Sequence, residues 1–167
     1  MSRRTEARRR REAEILSAAA AILADRGFHQ TRLEDVGSAV GISGPALYRY
    51  FSGKEELLAQ ILIDISIRLV DGARAVLDQA KGNDWTAEET LRGLLAHHVH
   101  FAVTEPDRIR VQEREGGNLA PEQSAKVRSL QRLYMVLWVD ALRELQPELT
   151  SDAVSYTHLT LPTNREV

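Results

Sequence analysis

Cysteine is absent from the 167 residues. Its absence excludes disulfides, cysteine-zinc sites and thiol catalysis, and it fits a reducing cytoplasm. No apolar run approaches the ~20 residues needed to cross a bilayer, so no membrane partner is expected. The arginine-rich start is not followed by an apolar stretch ending in a cleavage site, so no secretory leader is expected. There is no glycine-rich phosphate loop, no Gly-x-Ser-x-Gly elbow and no His-Glu-x-x-His pair. Acid pairs such as Glu88-Glu89 fall at helix starts, where capping explains them. Catalysis and a bound cofactor are therefore not expected. Alternating or hairpin patterns are missing before residue 154, which leaves an all-α chain of about seven helices.

What is present is the balance of a globular protein, with 43% hydrophobic and 28% charged residues. The formal net charge of −2 hides an asymmetry: residues 1–54 carry a net of +4 and residues 55–167 a net of −6. A basic front on an acidic remainder suggests that the front meets a polyanion. The run Arg8-Arg9-Arg10-Arg11 can equally be a solvated part of a leader, and residues 1–8 are expected to be disordered.

Ile15, Ala18, Ala19, Ile22 and Leu23 form the stripe of a first amphipathic helix, stopped by Gly27. Thr31 with Glu34 reads as a capping box opening a second helix, which Gly41 breaks. Ser43 is placed to cap a short third helix running to Phe51. Ser52 with Glu55 repeats the capping pattern before a long fourth helix that keeps its apolar period from Leu57 to Leu77. Thr86 with Glu89 opens a fifth, Pro106 a sixth, and Pro121 a seventh that reaches Leu145.

Residues 33–51 are the constellation that carries function. Two helices crossing steeply need a small residue at their contact, and Gly37 supplies it. The turn needs a residue tolerant of positive φ, and Gly41 supplies that four positions later. Val36, Val40, Ile42 and Leu47 face inward. This is the helix-turn-helix spacing, which plain αα-corners also share. The exposed face of the short helix would hold Gly44, Pro45, Ala46, Tyr48, Arg49 and Tyr50. Ala46 suits a thymine methyl, and Arg49 suits guanine or phosphate. Tyr48 and Tyr50 suit phosphate oxygens, or packing against the first helix, or both.

Phe28-x-x-Thr31, Val36-Gly-Ser-Ala-Val-Gly-Ile-Ser43 and Leu47-Tyr-Arg-Tyr-Phe-Ser-Gly-Lys-Glu-Glu-Leu57 together resemble the N-terminal domain of the TetR family over roughly residues 10–60. Gly37 stands where alanine is commoner, and Pro45 and Ala46 stand where many members have glycine and threonine. The resemblance implies a ligand-responsive repressor that binds a palindromic, double-stranded operator as a homodimer in the bacterial cytoplasm, at the nucleoid. It implies that Thr31, Tyr48, Tyr50 and Lys54 hold phosphates, that Ser43, Gly44, Pro45, Ala46 and Arg49 meet the major groove, and that the N-terminal arginines reach flanking DNA. The corresponding division is a helix-turn-helix unit at 9–53 and an effector-binding and dimerisation unit at 54–153.

For an organic effector of unknown identity, His97, Phe101, Tyr134 and Trp138 are candidate pocket residues, although each also suits a core. His98 would then pack inside. His97 and His100 share a face at metal-ligand spacing, but no sequence-near carboxylate or cysteine completes a set, so no metal is expected. Lipid-derived ligands such as acyl-CoA, sensed by some family members, are one candidate class. Arg108, Arg110 and Arg114 read as a solvated helix face. Residues 154–167 lack any helical stripe and read as a non-native tail or else a flexible one. Family chains are usually longer, so the domain is expected to be incomplete, with apolar faces of the helix at 121–145 uncovered and dimerisation weakened. The rival to DNA binding is a helical module that uses the same corner for protein contact.

Overall fold

The computed structural model of the chain describes residues 3–147. The expectations for residues 148–167, the tail included, lie outside the described residues. Among the described residues there are seven α-helices and one 3-10 turn, and no strand. The all-α reading is correct.

The first helix, α1 (Arg3–Arg26), begins earlier than expected: the leader through residue 8 is helical from Arg3. Arginine is a good helix former, and the basic run is not left to solvate freely. Arg8 Nε pairs with Glu12 at 2.8 Å one turn on. Its guanidinium lies over the Tyr50 ring at 5.7 Å. Arg11 donates to the Val40 carbonyl at 2.7 Å. Gly27 closes α1 in the left-handed conformation, φ 78°, as its position after the last apolar residue implies.

The second helix, α2 (Leu33–Ala39), starts one residue later than the capping-box reading placed it, with Arg32 and not Thr31 at the N-cap. The Thr31 hydroxyl is already engaged: it donates to the Gly27 carbonyl at 2.8 Å, so it closes the end of α1 and does not open α2. Gly37 is the close approach between α2 and the turn. A Cβ there would come within 2.9 Å of the Ile42 carbonyl oxygen. Gly41 takes φ 69°. The third helix, α3 (Gly44–Leu47), is shorter than expected. Past Leu47 the chain continues in hydrogen-bonded turns to Phe51, whose N–H reaches the Leu47 carbonyl at 3.1 Å.

The fourth helix, α4 (Lys54–Gly82), is the central member. Its Ser52 cap partner is Glu56, not Glu55: the Ser52 N–H and hydroxyl both donate to Glu56 Oε2, at 2.6 and 2.7 Å. These bonds hold the Glu56 carboxyl below its usual range. From Leu57 to Ser66 every residue except Gln60 and Asp64 is buried. A helix buried nearly all round must have neighbours on every side. They are the helix-turn-helix unit at one end, then α5 (Ala87–Thr104), α6 (Pro106–Glu115) and α7 (Pro121–Leu145). One apolar cluster runs from Ile15, Val36 and Leu47 through Leu58 and Ile61 to Val111 and Val127; a smaller one holds Ala73, Leu94 and Ala141. The capping box at Thr86 and Glu89 forms as expected.

Two expectations need correction. Arg108 is not on a solvated face. Its side chain is 9% exposed and bonds Asp64 of α4 at 2.6 Å and Glu105 at 3.0 Å. Arg68 bonds Glu105 at 2.7 Å. Periodicity alone could not separate this arginine from Arg110 and Arg114, because its partner Asp64 lies 44 residues away. The uncovered apolar surface is also wider than expected: α7 buries only Val127 and Ala141 and exposes Val136 and Leu145, and beyond it Leu95, Val99 and Val103 of α5 are 55%, 50% and 73% exposed.

Burial by itself would raise the Glu105 pKa, but Arg68 and Arg108 outweigh it and hold the carboxyl below its ordinary 4.5. A carboxylate depressed in the folded state contributes stability above its unfolded value and loses it as pH falls through the folded value. Arg108→Ala is therefore expected to lower unfolding free energy by about 2 kcal/mol, less than for a deeply buried pair because both carboxylates remain partly exposed. Urea unfolding should show the gap to wild type narrowing as pH drops below 4.5; a gap that stays constant would contradict this account.

Candidate DNA interface and effector cavity

The turn at Gly41 aims α3 outward. Ser43, Pro45, Tyr48 and Arg49 are exposed, and Gly44, Ala46 and Tyr50 partly so, while Leu47 is wholly buried beneath them. Leu47 is the anchor and the remaining positions form a surface. Tyr48 is 53% exposed, which is unusual for an aromatic side chain without a partner surface. Tyr50 packs against the core and carries Arg8 on its ring, so it takes the packing role left open for it. Ser43 is the N-cap of α3 by backbone position, but its hydroxyl makes no capping bond.

Beside Tyr48 lies a groove of about 400 Å³ between the starts of α2 and α4, lined by Thr31, Arg32, Leu33, Glu34, Ser52, Gly53, Lys54 and Glu55 as well. No side chain caps α4 at Gly53, so the first N–H groups of a long helix face this groove with the positive end of its dipole. Lys54 adds charge there, but its ammonium is tethered: it donates to the Phe28 carbonyl at 3.0 Å and sits 4.5 Å above the Phe28 ring. Thr31 is the clear correction among the expected phosphate contacts. It is 2% exposed and its hydroxyl is spent on Gly27. Sequence reasoning missed Arg32, an exposed cation in the groove wall. It also missed Glu34, whose side chain lies where a Cβ on Gly44 would touch it at 3.7 Å.

The second site is a cavity of about 530 Å³ between four helices, partly open to solvent. Ser66 and Leu69 come from α4, His98 from α5, Gln112 from α6, and Gln131, Tyr134, Met135, Trp138 and Leu142 from α7. Tyr134 and Trp138 were expected there. His97 and Phe101 are not in its wall. Phe101 is buried in the core with Arg68 above its ring at 5.0 Å. His97 faces α4, where a Cβ on Gly72 would overlap its imidazole. Burial pushes the His97 pKa below 6.5, and its Nε2 is buried without a hydrogen-bond partner. His98, expected inside the core, is the histidine that lines the cavity. One residue is 100° of helix rotation, so a stripe with three histidines in four positions leaves this assignment open until the helix is docked.

His98 Nδ1 and the Tyr134 hydroxyl are 3.0 Å apart, and burial raises the Tyr134 pKa above 10.0. Among the described residues no group of three histidine, aspartate or glutamate side chains is placed to hold a metal ion, and none of the helices there is long and apolar enough to cross a membrane.

Comparison with known proteins matches this layout in two parts. Residues 15–61 match the family model "Bacterial regulatory proteins, tetR family", and residues 84–161 match "Tetracyclin repressor-like, C-terminal domain". The HTH-type transcriptional repressor KstR2 of Mycolicibacterium smegmatis is 27% identical over 151 residues, covering 86% of this chain and 72% of that protein. A TetR-family transcriptional regulator from Bordetella parapertussis superposes with a TM-score of 0.80 at 23% identity, over 89% of this chain and 76% of the other. The structure of AibR in complex with isovaleryl coenzyme A and operator DNA superposes with a TM-score of 0.73 at 20% identity, over 89% and 82% of the two chains. Head and helical remainder are thus each matched by a model of one family, and the chain belongs to the TetR family of bacterial regulatory proteins: it is a DNA-binding transcriptional regulator, not an enzyme.

Proposed function

We propose that this regulator is a repressor that binds a palindromic operator as a homodimer at the bacterial nucleoid, and that a small-molecule effector releases it. The observation that carries this reading is shared structure: α4 forms both the floor of the helix-turn-helix unit and a wall of the cavity. A ligand that favours one setting of α4 over another changes the spacing of two recognition surfaces, which must meet major grooves about 34–36 Å apart.

In this reading α3 enters the major groove. Gly44, Pro45 and Ala46 let the backbone approach base edges, and Arg49 reads a guanine or grips a phosphate. Tyr48 and the open N-terminus of α4, with Lys54 behind it, hold a phosphate. Glu34 and Glu55 border that phosphate and tune its fit against the attraction of Arg32. Arg8 is held over Tyr50, and the other arginines at the start of α1 reach flanking backbone or a minor groove. The division into a reading unit at 9–53 and an effector unit from 54 follows the start of α4, although the apolar core is continuous across it. The exposed stripe Leu95, Val99 and Val103 is the apolar surface from which association begins.

Selection from random duplex DNA at two salt concentrations tests the reading. An enriched palindrome with half-sites about one turn apart is expected, with affinity falling steeply as salt rises. Salt-insensitive or absent binding at low salt would favour a protein-contact module. Within the selected operator, Tyr48→Phe should weaken binding about 3- to 10-fold on every sequence, whereas Arg49→Ala should cost about 1–3 kcal/mol and relax preference at one base pair per half-site. Competition titrations with operator variants separate the two. Equal, sequence-independent losses for both variants would move Arg49 from base reading to phosphate contact.

A further inference from the structure

The chemistry of the cavity wall restricts what it can hold, given the reading of this cavity as the effector site. None of its lining residues is Lys, Arg, Asp or Glu. Of the basic groups flanking the wall, those of α4 and of the start of α6 are engaged with acids, while Arg114 of α6 and Arg132 of α7, beside Gln131, are exposed on the surface. Arg68, next to Leu69, bonds Glu105 at 2.7 Å. Arg108, one turn before Gln112, bonds Asp64 and Glu105. His98 is the one basic group in the wall among the described residues, and its Nδ1 is taken by the Tyr134 hydroxyl. An anionic head placed here would meet no permanent cation in the wall, only the His98 imidazole.

Neutral polar groups are available. Gln112 Oε1 is shut off from solvent and has no hydrogen-bond partner, and Trp138 Nε1, equally closed off, has only a weak contact with the Tyr134 hydroxyl that a guest can replace. Both belong to residues of the wall, on α6 and α7. The terminal torsions of glutamine and tryptophan are soft, so small rotations present an amide group and an indole N–H to a guest. The remaining wall is Leu69, Met135 and Leu142 with the amide of Gln131, and the Ser66 hydroxyl is already donated to the Leu62 carbonyl at 2.8 Å.

We infer that the effector is an uncharged, largely hydrocarbon molecule bearing a hydroxyl or carbonyl oxygen, which Trp138 Nε1 and Gln112 engage, and that it is neither a carboxylate nor a phosphate-bearing thioester. A space of about 530 Å³ suits a small organic molecule of this kind.

The test is calorimetric titration of the whole chain with matched probes: decanol against decanoate, acetonaphthone against naphthoate, and decanoyl coenzyme A. Trp138 emission is followed in parallel, with Trp85→Phe used to remove the other indole. The neutral member of at least one pair is expected to bind about tenfold or more tightly than its carboxylate and to perturb Trp138. Gln112→Arg is expected to reverse that order by supplying a cation. Trp138→Phe, which keeps the apolar wall, should weaken the neutral probe about 3- to 10-fold. Thermal unfolding of each variant separates lost binding from lost folding. Carboxylate or thioester binding as tight as the neutral probes, with Trp138 perturbed, overturns the neutral class and leaves the effector site standing. No heat and no emission change with any probe would sink the effector-site reading and this inference with it.

Discussion

The burial of α4 constrains everything else in the molecule. Eight of the ten residues from Leu57 to Ser66 are closed from solvent, and Leu58, Ile61 and Ile65 have no exposure at all. Truncating any one of these to alanine would cost about 2–5 kcal/mol, a large share of the stability of a small protein. An element held that tightly does not slide freely past its neighbours. It moves only if they move with it, because packed interiors are close to crystal density and transmit displacement. The head above α4 and the cavity beside it are therefore parts of one mechanical object, despite their separate chemistries.

The electrostatics follow the same plan. The basic front of the chain suggests a loose cationic arm, but its best-placed arginines are committed. Arg8 covers Tyr50, and Arg11 ties α1 to the end of α2. What the head offers an incoming backbone is an oriented surface more than a cloud of charge: an exposed phenol at Tyr48, a guanidinium at Arg49, and an uncapped helix end at Gly53. Oriented groups cost little reorganisation when a phosphate arrives.

How far the sequence could be read depended on the range of the interactions involved. The turn glycines, the proline helix starts and the Thr86–Glu89 box are local chemistry, and they stand where the pattern puts them. Local reasoning failed where a side chain had a competing partner. Thr31 had two backbone groups within reach and closed α1 in preference to capping α2. Ser52 had two acids in the first turn of α4 and took the second. Arg108 met a carboxylate far along the chain that no window of periodicity contains. The cavity was half legible: Tyr134 and Trp138 follow from the α7 stripe, but His97 and His98 differ only in which neighbour α5 meets, and Gly72 on α4 decides that by making room for His97.

The short helix α6 shows how these parts join. Gln112 is in the cavity wall, and Val111 beside it is fully buried in the main core. Arg108 bonds Asp64 of α4 at 2.6 Å. At the other end Glu115 lies against the close of α1, where a Cβ on Gly27 would meet its carboxylate at 3.4 Å, and Asn118 holds that carboxylate at 2.8 Å. A guest that turns Gln112 therefore acts on a helix fixed by charge to α4 and by contact to α1. Contacts of this kind give a route but no direction; release from DNA needs a ligand whose affinity differs between two settings of α6. The unpartnered Gln112 oxygen is where the proposed guest would create such a difference. If the proposed guest satisfies it only in settings of α6 that bring the amide to the cavity, the energy of that one bond biases α6, and through Arg108 the α4 on which the reading head rests.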